Sequence, residues 1–167
     1  NPILDGEARE TLKALIKNAG KLGCSVIGVF AGANPEKTIP DTIPEFKKTW
    51  EPIAALAEDN GVKIGFEGCG NGWKGGSFNI AYCDEAWELM FEAVPSRALG
   101  LEWEPCHIME RLGDPIMQLR HWADRVVHLH GKDSFCNLSQ EEPYLHQNSF
   151  PYCQLFVSTH QSYSRKY

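Results

Sequence analysis

The sequence predicts an α/β protein with a parallel sheet, and three observations carry that expectation. Short apolar runs rich in β-branched residues recur through residues 1–133, longer stretches with apolar residues spaced three and four apart lie between them, and the two kinds alternate. Strand–helix–strand repetition makes successive strands parallel, because a helical crossover returns the chain to the same end of the sheet. Periodicity does not choose between an open sheet and a closed barrel.

Taken in order, residues Glu7 to Lys21 place Ala8, Leu12, Leu15, Ile16 and Ala19 on one face. That spacing predicts an amphipathic helix, with Asp5 as N-cap and Gly23 in the terminating turn. Ser25 to Phe30 reads as a buried strand that runs into the loop signal Ala31 to Pro35. Ile43 to Asn60 returns to helical period, with Phe46, Trp50, Ile53, Ala54 and Ala57 inward and Gly61 as stop. Pro52 inside that stretch predicts a kink or a break. Val62 to Glu67 is a second strand, followed by a glycine-rich loop over Gly68 to Asn79. A helix over Asp84 to Val94 turns Ala86, Leu89, Met90 and Ala93 inward. Leu99 to Glu104 is a third strand closed by Pro105, Asp114 to Trp122 a further helix, and Arg125 to His130 a fourth strand.

Beyond Asp133 the chain changes character. All 15 glycines lie at or before Gly131, and no alanine follows Ala123. Residues 134–167 are filled with Ser, Gln, His, Tyr and Asn, and their only apolar run is Leu155-Phe156-Val157. This tail is not expected to continue the strand–helix rhythm and reads as a disordered or foreign continuation, which divides the chain into 1–133 and 134–167. The start at Asn1, without Met, reads as the start of a fragment.

A length of 167 residues suits one domain, and 43% hydrophobic with 23% charged residues is the composition of a soluble globule with a real core. No run approaches the ~18 apolar residues of a membrane helix, and no secretory signal opens the chain. Sixteen Lys and Arg against 22 Asp and Glu give a net charge of −6, which argues against a nucleic-acid partner. The six cysteines are scattered without a C-x-x-C pair and read as reduced thiols of a cytoplasmic protein.

The informative polar residues end the strands: Glu67 the second, Glu104 the third, His130 the fourth. Ligands of parallel α/β proteins bind at the carboxyl ends of strands, so these three side chains should converge. Two carboxylates and an imidazole suit Mn²⁺, Mg²⁺, Co²⁺ or Zn²⁺, with positions left for substrate oxygens. The bland readings are a solvated rim glutamate and an ordinary hydrogen-bonded histidine. His128 alternates with His130 onto the same side, while Trp103 should face away from Glu104 and pack under helices. The loop Gly70 to Gly76 lacks the order of a phosphate-binding loop and reads as a substrate-side loop.

The runs VKIGFEG (62–68), LGLEWEPCHI (99–108) and RVVHLHGKD (125–133) together resemble the sugar phosphate isomerase/epimerase family of xylose-isomerase-like TIM barrels. The resemblance implies a partial (β/α)8 TIM barrel, from about the exit of strand 3 through strand 7, with a C-terminal tail that does not match. It implies a divalent metal ion on Glu67, Glu104 and His130, with Glu67 also the acid/base, and substrate contacts at His107, His128 and Lys132. The implied chemistry is sugar isomerisation or epimerisation through an enediolate, by proton transfer between two glutamates. A small sugar is the implied partner, with no nucleic acid or membrane, and self-association into a homo-oligomer is expected. Glu104 departs from the family's aspartate by one methylene. The family's second catalytic glutamate, on the eighth strand, has no match in 134–167, where Glu141 and Glu142 sit in a polar stretch; the fragment is therefore expected to be inactive alone. Two rival readings are an apurinic-site endonuclease-like phosphodiesterase and a non-catalytic remnant of the barrel.

Overall fold

In the computed structural model, residues 1–69, 78–109, 111, 113–136 and 153–156 are described. The loop 70–76 and Glu141 and Glu142 lie outside the described residues. The first helix, α1 (Gly6–Leu22), starts where Asp5 accepts hydrogen bonds from the Glu7 and Ala8 amides and stops at Gly23, whose φ of 72° is the left-handed cap glycine adopts without strain. Its buried stripe is Leu12, Ile16 and Ala19. Leu15 was expected inward but is 48% exposed, because it lies at the edge of a stripe only three residues wide.

Strand β1 (Val26–Val29) leads to α2 (Ile39–Asp59), capped by Thr38. This helix runs through both Pro44 and Pro52, so of the kink or break expected at Pro52 the break does not occur. Pro52 lies on the exposed side, and burial of Phe46, Thr49, Trp50, Ile53, Ala54 and Ala57 on the other side holds the helix together across it. After β2 (Lys63–Glu67) comes α3 (Asp84–Ala93), which buries Ala86, Trp87, Met90 and Phe91. Leu89 and Ala93 were expected inward but are only half-buried. The face is rotated because Trp87 and Phe91 pack on Trp122, with ring centroids 5.5 and 5.8 Å away. Strand β3 (Leu99–Trp103) is buried along its whole length. A short helix α4 (Pro105–Met109) follows, then α5 (Pro115–Trp122), N-capped by Asp114, and β4 (Val126–Leu129).

The four strands pair in parallel in the order β1-β2-β3-β4 and form a curled half-barrel. Alternation sends Ile64, Phe66, Leu99 and Leu101 to the helix side, where Phe66 meets Trp50 edge-on at 4.7 Å, and the apolar core lies there. The inner side carries little bulk: Gly28, Gly65 and Gly100 share one register row across three strands. A bulge between Leu101 and Glu102 shifts β4, so Leu101 pairs with Val126 but Glu102 pairs with His128. Without that extra residue, strict alternation would put His128 and His130 on the helix side.

Beyond β4, strands β5 (Asp133–Cys136) and β6 (Cys153–Phe156) form a separate antiparallel pair. Among the described residues the tail thus adds no strand to the parallel sheet. No helix of the described residues is long and apolar enough to cross a membrane.

Buried Asn79 joins the loops after β1 and β2. Its Oδ1 accepts the Ala31 and Ala81 amides at 3.1 and 3.2 Å, and its Nδ2 donates to the Glu67 and Cys69 carbonyls at 2.9 and 2.8 Å. Asn79→Leu should lower stability by about 3 kcal/mol in urea unfolding, because two buried amides lose their acceptor. A loss no larger than that of an exposed substitution would show these loops to be held otherwise.

Candidate metal centre

Each of the three strand-end side chains stands where a strand passes into its loop. Glu67 is the last residue of β2, Glu104 follows β3, and His130 follows β4, its amide donating to the Trp103 carbonyl at 3.0 Å. Parallel neighbours place these ends side by side. One ligand atom from each of Glu67, Glu104 and His130 lies within 4.8 Å of the others.

Glu104 is the most heavily engaged of the three, at 3% exposure. Its Oε1 accepts from Lys132 Nζ at 2.7 Å and from Cys106 Sγ at 2.8 Å, and faces His107 Nε2 at 3.1 Å. Its Oε2 faces His130 Nδ1 at 2.9 Å. Burial pushes the carboxyl pKa up, but the hydrogen bonds from Cys106, Lys132 and His130 outweigh it and hold the group below its ordinary value. Its hydrogen bond in turn raises the Lys132 pKa, so this pair stays ionised. Burial raises the Cys106 thiol, which remains a protonated donor to Glu104.

His107 rides on α4, an element the sequence reading missed. Pro105 reads as a strand terminator but serves as the first residue of a helix, a position that needs no amide donor. The short turn sets His107 Nε2 3.9 Å from Glu67 Oε1 as well as beside Glu104. His128 is exposed, with its ring 5.5 Å from that of His130. Lys132 is joined to Glu104 directly. The structure thus gathers Glu67, Glu104, His107, His130 and Lys132 at one end of the sheet, with His128 beside them.

Three further residues were not singled out from sequence. Cys69 groups with Glu67 and His107, and Cys106 with Glu104 and His107. Glu102 lies on the inner side below Glu104, with Oε1 3.0 Å from His130 Nδ1. Its pKa is raised, chiefly by burial, with His130 opposing the rise. The signal for Glu102 was its two-residue spacing from Glu104, which puts both on one face of a strand.

As a donor set, two carboxylates and an imidazole fit a hard or borderline divalent cation. The Lys132 ammonium already neutralises Glu104, so a cation there must share or displace it.

A family profile described as xylose isomerase-like TIM barrel matches residues 2–152. Among solved structures, a xylose isomerase domain protein from Planctomyces limnophilus is 24% identical, aligned over 75% of this chain and 42% of its own, with a TM-score of 0.58. A D-tagatose 3-epimerase-like protein is 24% identical over 80% of this chain and 52% of its own, with a TM-score of 0.65. Mannonate dehydratase from Streptococcus suis serotype2 is 15% identical over 77% of this chain and 49% of its own, also at 0.65. The chain therefore spans about half the length of these structures, and at such identities the likeness shows the fold. No curated protein matches the sequence.

Proposed function

Because the chain belongs to the xylose isomerase-like TIM barrel family, we propose that it carries the metal- and proton-handling residues of a divalent-metal-dependent sugar or sugar phosphate isomerase/epimerase. The observation that supports this reading is the approach of Glu67, Glu104 and His130 to within 4.8 Å, from three successive strand ends. All three lie within residues 1–133, and the reading assigns no role to 134–167.

Glu67, Glu104 and His130 would hold Mn²⁺, Mg²⁺, Co²⁺ or Zn²⁺, which supplies Lewis-acid polarisation of the substrate's carbonyl and hydroxyl oxygens. Glu67 would take the proton from the hydroxyl-bearing carbon next to the carbonyl; it is half-buried, so a small sugar can reach it. His107, whose Nε2 lies 3.9 Å from Glu67 Oε1, would hydrogen-bond a substrate hydroxyl, and the exposed His128 would make a further contact with the sugar. Lys132 keeps Glu104 ionised and completes the polar wall that a sugar oxygen would meet. Epimerisation needs a second proton carrier on the opposite face, and residues 134–167 offer no sequence match to one. The chain by itself is accordingly proposed to bind the ion without turning over a ketose.

Equilibrium dialysis of the full chain against Mn²⁺ tests this. One ion per chain is expected, lost in Glu67→Gln and in His130→Ala, with thermal stability rising by about 2.7 kcal/mol at one hundred times the dissociation constant. A protein that retains no Mn²⁺, or retains it equally in both variants, overturns the assignment.

A further inference from the structure

Beside the three strand-end ligands lies a thiol that the proposed ligand set does not use. Cys69 Sγ and one ligand atom from each of Glu67 and His107 lie within 4.8 Å of one another. We propose that Cys69, Glu67 and His107 form a neighbouring site for a thiophilic divalent cation of the Zn²⁺ class. The site rests on the metal-centre reading above only through Glu67, which both ligand sets use.

The first argument is distance. His107 Nε2 lies 3.9 Å from Glu67 Oε1, too far for a hydrogen bond. Two ligands about 2.1 Å from a tetrahedral ion stand roughly 3.4 Å apart, so this gap is near what an ion between them needs. Both side chains keep some access to solvent, 21% for Glu67 and 13% for His107, which leaves a way in. The second argument is the backbone. Buried Asn79 donates from Nδ2 to the carbonyls of both Glu67 and Cys69, at 2.9 and 2.8 Å. Two ligands are thereby held in one frame before any ion arrives, and α4 brings the third.

The third argument selects the thiol. Cys106 also groups with His107, through Glu104. It is fully buried, and its Sγ already donates to Glu104 Oε1 at 2.8 Å. Cys69 is only half-buried. A thiolate, an imidazole and one carboxylate suit Zn²⁺ or Co²⁺ better than Mg²⁺ or Mn²⁺, which prefer oxygen. Binding releases the Cys69 thiol proton to solvent, and His107 binds as the neutral ring with its proton on Nδ1. His107 Nε2 then gives up its 3.1 Å contact with Glu104 Oε1, which keeps Lys132 at 2.7 Å and Cys106 at 2.8 Å. On the sugar reading, an ion so held occupies both the proton carrier and a substrate contact, so it excludes the sugar.

Co²⁺ added to the full chain is the probe, because a thiolate ligand gives it a near-ultraviolet charge-transfer band that carboxylates and imidazoles do not. One thiolate-bound Co²⁺ per chain is expected, displaced by Zn²⁺. The band should vanish in Cys69→Ser and persist in Cys106→Ser. Zn²⁺ affinity, read by competition with a chelator, should fall about 100-fold or more in Cys69→Ser and in His107→Ala, beyond the range for residues that only support a ligand. Circular dichroism selects folded variants, and Cys69→Ala serves if Cys69→Ser does not fold. The proposal is overturned by a wild type without the band, by a band that survives folded Cys69→Ser, or by one lost in folded Cys106→Ser. Unchanged Zn²⁺ affinity in His107→Ala overturns it as well. His130→Ala separates the two readings, since it should lose Mn²⁺ and keep the band. Mn²⁺ bound by a wild type that shows no band leaves the metal centre standing and removes the thiol site; a band without Mn²⁺ binding does the reverse.

Discussion

Glu104→Gln should lower Mn²⁺ affinity by about 100-fold or more, above the range for residues that merely support a ligand. The substitution keeps size and removes the charge, and with it the anion that Lys132, Cys106, His107 and His130 all approach within 3.1 Å. It should also lower stability. Breaking a fully buried ion pair costs about 3–5 kcal/mol. Here the Lys132 side chain is still 29% exposed and can turn its ammonium to water, so about 1–3 kcal/mol is expected. Dialysis against Mn²⁺ and urea unfolding of the same sample read both effects. Undiminished Mn²⁺ binding would remove Glu104 from the ligand set, whatever happened to stability.

Trp50→Ala should have the largest effect on folding, about 4–5 kcal/mol in urea. The ring is fully buried, lies 4.7 Å edge-on from Phe66 and 6.1 Å from Phe46, and donates from Nε1 to the Ala31 carbonyl at 2.8 Å. Truncation therefore opens a cavity between α2 and the sheet and strands a buried carbonyl. Since folded proteins have only about 5–15 kcal/mol in hand, the variant should sit near its threshold. Trp50→Phe, which keeps an aromatic body, should recover most of the loss. Leu15→Ala on the exposed edge of α1 should change stability by less than about 0.5 kcal/mol. A Trp50→Ala protein as stable as Leu15→Ala would mean that α2 does not pack on β2 through this ring.

Much of the architecture was legible because it is written in local periods. The caps Asp5 and Gly23, the four apolar strands and the helices between them depend on neighbours a few residues away. The misses share one cause. Leu15, Leu89 and Ala93 satisfy a helical stripe in isolation, but which part of a stripe is buried depends on what packs against it, and Trp122 draws Trp87 and Phe91 to the front instead. Pro52 breaks a helix considered alone and is carried by one anchored on both sides of it. Pro105 gave no sign of the turn that delivers His107 to both carboxylates.

The sequence by itself determined the parallel α/β class, the strand ends at which Glu67, Glu104 and His130 stand, and the resemblance that those residues carry, because all of these follow from residue type and spacing. Only the tertiary structure decided which side of the sheet the histidines face. Val127 and His128 together oppose Glu102, and that single unpaired residue reverses the alternation of β4 and turns His130 toward the carboxylates. The same holds for the space in which Glu102 lies, vacated by glycines on two other strands. A bulge and a vacated volume are properties of paired strands, and a period read along one strand cannot contain them.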